Sequence, residues 1–138
     1  MNEPSESTAA KTVLIVDDEA LFCVLVSGLL EIQGYRSLVA TNGAAALKLA
    51  QDPGQKIDAV LVDLTMRPMN GRQILRELRL RCPGMPVVMM SGSEKEDVAE
   101  MAAGTGDFPA YLQKPFSSEA LAQAIRLAST AGTASPAR

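Results

Sequence analysis

The sequence contains no histidine and only two cysteines. Cys23 and Cys82 lie in apolar or helical settings without metal-ligand spacing, which argues against a zinc site and leaves reduced thiols as the simpler reading. Clustered basic residues are missing too: 13 Lys and Arg stand against 16 Asp and Glu, for a formal charge of -3 and a pI near 4.9. With no basic stripe to neutralise phosphates, nonspecific nucleic-acid binding is not expected. No apolar run approaches the length of a membrane span, and Met1 to Lys11 is polar with no signal-peptide core, so a soluble, cytoplasmic protein with no membrane partner is expected. Nor is a repeat, a second domain or, after the last helical segment, a DNA-binding helix-turn-helix expected. What is present is 47% hydrophobic residues, enough in 138 positions for one domain with a sizeable core.

The stretch from Ile57 to Gly71 organises the rest. Ala59 to Val62 is continuously apolar and rich in β-branched residues, as in a strand buried on both faces of a parallel sheet, and it ends at a carboxylate, Asp63. Thr65, Pro68, Asn70 and Gly71 then carry turn chemistry before a helix over Arg72 to Leu80, ended by Cys82-Pro83-Gly84. Asp63 therefore stands at the mouth of a strand-to-helix loop, the edge of open α/β sheets where ligands sit. Alone, such an aspartate would be read as a cap or turn residue. Other residues converge on it.

Thr12 to Val16 is a second apolar strand, ending in Asp17, Asp18 and Glu19. Asp18 is expected to cap a helix from Glu19 to Gln33, which Gly34 stops. On that helix Phe22, Leu25, Val26, Leu29 and Leu30 form a stripe suited to cover the sheet, while Leu21, Val24, Gly28 and Ile32 form a second stripe on the opposite flank. Tyr35 to Ala40 is a strand, and Asn42 caps a short helix to about Gln51. Pro86 to Met90 is a strand ending at Ser91-Gly92, and Glu94 to Ala103 a helix. After an irregular loop through Phe108-Pro109 comes a short strand, Ala110 to Gln113, ending at Lys114-Pro115. Ser117 caps a final helix to about Ala128. Residues 1–11 read as a flexible leader and 129–138 as a tail, around one domain over 12–128.

Five alternations of strand and helix predict an α/β fold, a doubly wound (βα)5 sandwich around a five-stranded parallel sheet in the order 2-1-3-4-5. That order brings Asp17, Asp18 and Asp63 together at the switch point, with Ser91 and Lys114 reaching in from the fourth and fifth strands. Three carboxylates so close repel, by about 1 kcal/mol per pair in water and about 4 at an effective dielectric near 20, for roughly 4 Å separations. A cation is needed, and hard oxygen ligands suit Mg²⁺. Mg²⁺ could hold a phosphoryl group against Asp63 while Lys114 and the Ser91 hydroxyl bind its oxygens, the layout for phosphoryl transfer onto a carboxylate nucleophile.

From Thr12 to about Ala128 the chain resembles a receiver domain of a two-component response regulator. The resemblance rests on Asp17-Asp18 after the first strand, Asp63 with the turn Met66 to Gly71, Ser91 after the fourth strand, and Tyr111 three residues before Lys114-Pro115-Phe116. It implies Asp63 as phosphoacceptor and Asp17, Asp18, Asp63 and the Thr65 backbone carbonyl as Mg²⁺ ligands. It further implies Lys114 as the phosphate-sensing lysine, Ser91 and Tyr111 as a switch pair, and a cis bond before Pro115. As a receiver the protein would be no enzyme beyond its own phosphorylation and dephosphorylation. It would take its phosphoryl group from a histidine kinase or histidine phosphotransfer protein. It would then switch the face built by the helix over 94–103, the last strand and the final helix for a downstream protein, with a homodimer left open. The sequence departs from the family pattern at Met66-Arg67, where Met-Pro is usual, at Gly92, where Ala is common, and in the lengthened loop before Tyr111.

Two other readings compete. A scaffold that keeps the acids but not the chemistry is the alternative, and an Mg²⁺-dependent hydrolase is disfavoured because no separate general acid or substrate pocket is legible. The second stripe of the first helix, Leu21, Val24, Gly28 and Ile32, is expected either to be ordinary surface or to dock a partner helix that presents a phosphohistidine to Asp63. Gly28 lowers helix propensity by up to about 1 kcal/mol relative to Ala, a cost that close approach of another helix would explain.

Overall fold

Residues 13–16, 59–62 and 87–90 are apolar without alternation, and all are buried. They form the middle of a parallel sheet with strands β1 (Thr12–Val16), β2 (Arg36–Ala40), β3 (Ala59–Asp63), β4 (Val87–Ser91) and β5 (Ala110–Gln113), in the order β2-β1-β3-β4-β5. Around it lie α1 (Ala20–Ile32), α2 (Gly43–Gln51), α3 (Gly71–Arg81) and α4 (Ser118–Ala134). The computed structural model describes residues 10–92 and 110–134. The helix expected over Glu94 to Ala103, the loop through Phe108-Pro109 and most of the expected leader lie outside the described residues. Strand order and fold class are those expected of a doubly wound sheet.

Period-two alternation splits the core. Leu14, Val16, Val60, Val62 and Met89 pack in the layer that contains Ala46 and Leu47 of α2 and Ile74, Leu75 and Leu78 of α3. Val13, Ile15, Leu61, Val88 and Met90 pack in the other, with Cys23, Val26 and Leu30 of α1 and Leu121, Ala124 and Ile125 of α4. With both faces covered, these strands have no solvent side on which to place polar residues. Among the described residues no helix is long and apolar enough to cross a membrane.

Helix ends follow local chemistry. The Asn42 side chain accepts from Ala45 N at 2.8 Å, and Ser117 Oγ accepts from Ala120 N at 3.0 Å. Asn70 and Gln73 form a reciprocal capping box at the start of α3. Gly34, directly after the C-cap of α1, takes φ of 85°, the left-handed stop that other residues adopt only with strain, and Gly84 takes φ of 90° in the turn closed by the Met85 N–H on the Cys82 carbonyl at 3.1 Å.

Three expectations need correction. Asp18 does not cap α1: the N-cap is Glu19, with no side-chain cap, because Asp17 Oδ1 accepts the Glu19 N–H at 2.9 Å and turns the chain one residue earlier. The buried arc of α1 is Cys23, Val26 and Leu30, so Leu25, assigned to the sheet-facing stripe, is half exposed. Cys23 claims the inner position because it is small and apolar and its thiol finds a partner in the Asp17 carbonyl at 3.4 Å. Last, α4 continues past Ala128 to Ala134, since Ser129 and Thr130 return their hydroxyls to the Ile125 and Arg126 carbonyls at 2.9 and 2.8 Å and stay compatible with a helix.

Candidate functional site

β1 and β3 are neighbours, and their register pairs Val16 with Val62, so Asp17 and Asp63 leave the sheet side by side. Asp17 is completely buried and Asp63 is 4% exposed, while Asp18 stands in solvent. One carboxylate oxygen from each of the three lies within 4.8 Å of the others. β4 extends the edge, with Asp63 opposite Met90 and the buried Ser91 one position beyond. β5 completes it: Lys114 N donates to the Ser91 carbonyl at 2.8 Å, which fixes the backbone from which the lysine side chain projects.

Lys114 Nζ binds Asp17 Oδ2 at 2.7 Å and lies 3.6 Å from Asp63 Oδ2. It is also 3.9 Å from the exposed Glu19, read in the sequence as part of the helix start and not of the site, whose solvated carboxylate contributes little. On the other side of Asp63, the Thr65 N–H and hydroxyl donate long bonds to Oδ1, at 3.3 and 3.4 Å. The two oxygens of Asp63 are thus already distinct, Oδ1 toward the loop and Oδ2 toward the lysine.

Gly71 sets how closely the loop folds back on this end. Its N–H donates to the Leu64 carbonyl at 2.9 Å, and a Cβ there would meet Asp63 O and Leu64 Cα at 2.6 Å each, backbone atoms that cannot swing aside. Beside the loop opens a cavity of about 300 Å³, lined by Leu64, Thr65, Met66, Arg67, Pro68, Asn70 and Arg72. The peptide bond before Pro68 is cis, and so is the bond before Pro115, the latter as expected.

Burial raises the Asp63 carboxyl above its ordinary value, and the Asp17 charge raises it further, against the opposing effects of Lys114 and the Thr65 N–H. Burial pulls Lys114 down, but its hydrogen bond to Asp17 and the charges of Asp63, Asp17 and Glu19 outweigh this and leave it raised. One ammonium therefore does not balance the cluster. Cys23, beneath it, is pushed up to about 11 by burial and then by Asp17, so its thiol stays protonated and unreactive.

The donor set fits a hard divalent cation. One oxygen from each of three carboxylates, all within 4.8 Å of one another, is the kind of all-oxygen set that such a cation takes. Burial first, and the Asp17 charge after it, keep Asp63 raised, and a cation beside the carboxylates would oppose both.

The remaining expected residues fall in two places. Tyr111 pairs with Met89 across β4 and β5 and packs against the core layer of α2 and α3, its hydroxyl buried with no hydrogen-bond partner among the described residues. Leu21, Val24 and Ile32 of α1 are 85%, 69% and 71% exposed, and a Cβ at Gly28 would meet nothing within 4 Å. Two contacts were missed: the Phe22 ring lies 4.3 Å from Lys114 Nζ, and Phe22 meets Phe116 edge to face. The adjacency of Phe116 to Lys114-Pro115 was the only available signal.

Known proteins agree with this geometry. The family model of the response regulator receiver domain matches residues 13–126. The chain is 33% identical over 117 residues to the probable transcriptional regulatory protein TcrX of Mycobacterium tuberculosis, covering 83% of this chain and 48% of TcrX. It is 37% identical over 116 residues to the transcriptional regulatory protein CpxR of Escherichia coli K12, covering 83% and 47%. The chain thus spans about half the length of these relatives. A crystal structure of a response regulator receiver domain protein from Clostridium thermocellum superimposes with a TM-score of 0.76 at 32% identity, over 87% of this chain and 94% of that one. Because the family match begins in β1 and reaches into α4, through every strand end that carries the acidic cluster and its lysine, the chain belongs to the response regulator receiver family.

Proposed function

We propose that this receiver, a signalling domain by its family, accepts a phosphoryl group on Asp63 from a histidine kinase or histidine phosphotransfer protein. The observation that carries the reading is the juxtaposition of the Asp17, Asp18 and Asp63 carboxylates with Lys114 Nζ, 2.7 Å from Asp17 and 3.6 Å from Asp63. An Asp63 oxygen attacks phosphorus in line, the new O–P bond forms as the donor's N–P bond breaks, and the electron pair leaves with the donor imidazole. Asp17, Asp18, Asp63 and the Thr65 backbone carbonyl would hold Mg²⁺, which when bound neutralises charge on the phosphoryl oxygens.

Lys114 exchanges part of its bond to Asp17 for a phosphoryl oxygen, so its charge reports the modification to β5. The Ser91 hydroxyl donates to a second oxygen, and Tyr111, next but two to Lys114, repacks with it. The partner's helix docks on Leu21, Val24, Gly28 and Ile32, whose exposure leaves the stripe accessible one turn from the acidic end. The reading of a scaffold with idle chemistry has no observation in its favour.

The test is incubation with Mg²⁺ and acetyl phosphate, followed by intact mass and peptide mapping. One phosphoryl group at Asp63, absent without Mg²⁺ and absent in Asp63→Asn, is the expected result. Full modification of Asp63→Asn would sink the assignment of the acceptor.

A further inference from the structure

Phe22 is not an acid or a ligand, and leucine would serve as well to cover the sheet. Yet its ring lies against the ammonium group of the site, with Lys114 Nζ 4.3 Å from the ring centroid. The ring is itself fixed: Phe116 meets it edge to face at 5.8 Å and 89°, and Phe116 belongs to the segment that carries Lys114. The lysine head is therefore held by Asp17 and Asp63 through charge and by an aromatic face that repeats neither contact.

We propose that Phe22 is a positioning residue for Lys114, its ring face holding the ammonium within reach of Asp63 as the Asp17 contact is exchanged for a phosphoryl oxygen. The inference rests on the reading of Asp63 as acceptor. Lysine is a point charge on a flexible four-carbon stem, and a carboxylate alone restrains its head poorly. The negative face of a phenyl ring attracts the cation and at the same time excludes water, so it replaces lost hydration where it covers the ammonium. An aliphatic side chain at position 22 would exclude the water without replacing the attraction. Lys114 would then turn outward toward Glu19 and solvent.

NMR of the metal-free protein with isotope-labelled lysine reads this directly. The ring current of Phe22 should move the Lys114 ε-methylene protons upfield of those of the other lysines. Phe22→Leu should lose the shift and Phe22→Tyr keep it, with Phe22→Met as the aliphatic replacement if the leucine variant does not fold. The rate of Mg²⁺-dependent phosphorylation by acetyl phosphate should fall about three- to tenfold in Phe22→Leu, the range of one partly desolvated cation–π contact, and recover in Phe22→Tyr. In a Lys114→Ala background Phe22→Leu should add no further loss. Unshifted Lys114 protons in the wild type, or equal slowing with and without Lys114, would overturn the proposal. Failure of the wild type to be phosphorylated would instead reject Asp63 as acceptor, while the metal-free shift still decides the role of Phe22.

Discussion

At the carboxyl end of the sheet, Asp17 and Asp63 are buried charges, whereas on the outward face of α1 Leu21, Val24 and Ile32 are exposed apolar side chains. Both regions invert the usual distribution, and they differ in what the chain itself supplies as remedy. The acidic end has an internal partner in Lys114, two donors from Thr65 and an aromatic face from Phe22. The α1 face has none among the described residues. An inversion met by partners from within belongs to a site, and three carboxylates against one ammonium leave a place for a small cation. On the function proposed above, the inversion left open on α1 is where the partner's helix docks.

The largest expected effect comes from breaking the internal remedy. Lys114→Ala leaves Asp17 buried beside Asp63 without its ammonium, and metal-free urea unfolding should show a loss of about 3 kcal/mol, the lower end for removing one partner of a buried pair. Millimolar Mg²⁺ should restore much of it. An unchanged midpoint in the absence of metal would mean that Lys114 is a solvated lysine.

Glycines sharpen the comparison because one stands in each region. Gly71→Ala forces a Cβ onto the Asp63 and Leu64 backbone and should cost about 1–3 kcal/mol by urea unfolding, whereas Gly28→Ala faces open space and should stabilise by up to about 1 kcal/mol. Gly28→Ala should at the same time slow phosphotransfer from the partner kinase if a helix approaches closely there. Equal signs for the two substitutions would erase the distinction between the regions.

The third effect is one of pH. A carboxyl raised in the folded state stabilises when protonated: the contribution is fully present below the unfolded value near 3.8 and is lost as pH rises through the higher folded value. At neutral pH without metal, ionised Asp63 is therefore a burden, and Asp63→Asn should be more stable than the wild type. The two stabilities should converge as pH falls toward 4 in paired unfolding curves. A variant less stable than wild type at neutral pH would contradict the assigned imbalance.

Smallest in stability, yet specific in function, is the double change Val24→Glu with Ile32→Lys. Exposed positions tolerate such changes within about 0.5 kcal/mol. Phosphorylation by acetyl phosphate should persist while transfer from the cognate kinase slows. Equal slowing of both routes would place the stripe in the fold, and slowing of neither would make it idle surface.

Much of the acidic end was legible because buried parallel strands are read from continuous apolar runs, and a run that stops at an acid or a lysine places that residue at the sheet edge. Asp17, Asp63, Ser91 and Lys114 were located in this way before any contact was seen. The strand order did the rest, since only adjacency of β1 and β3 brings Asp17 to Asp63. What stayed hidden depends on side-chain partners. The burial of Cys23 required its bond to the Asp17 carbonyl, and the start of α1 at Ala20 required Asp17 to capture the Glu19 N–H. The contact of Phe22 with Lys114 joins residues far apart in sequence. α4 outran its expected end because small polar residues read as tail when their return bonds to the helix are ignored.

The measurement closest to the central claim is the unfolding midpoint of the wild type and of Asp63→Asn as a function of Mg²⁺ concentration. If the buried cluster is completed by the cation, wild-type stability should climb with the logarithm of free Mg²⁺ above its dissociation constant, by about 2.7 kcal/mol at a hundredfold excess, and the response should be largely lost in Asp63→Asn. Identical Mg²⁺ responses in the two proteins, or none in either, would contradict it.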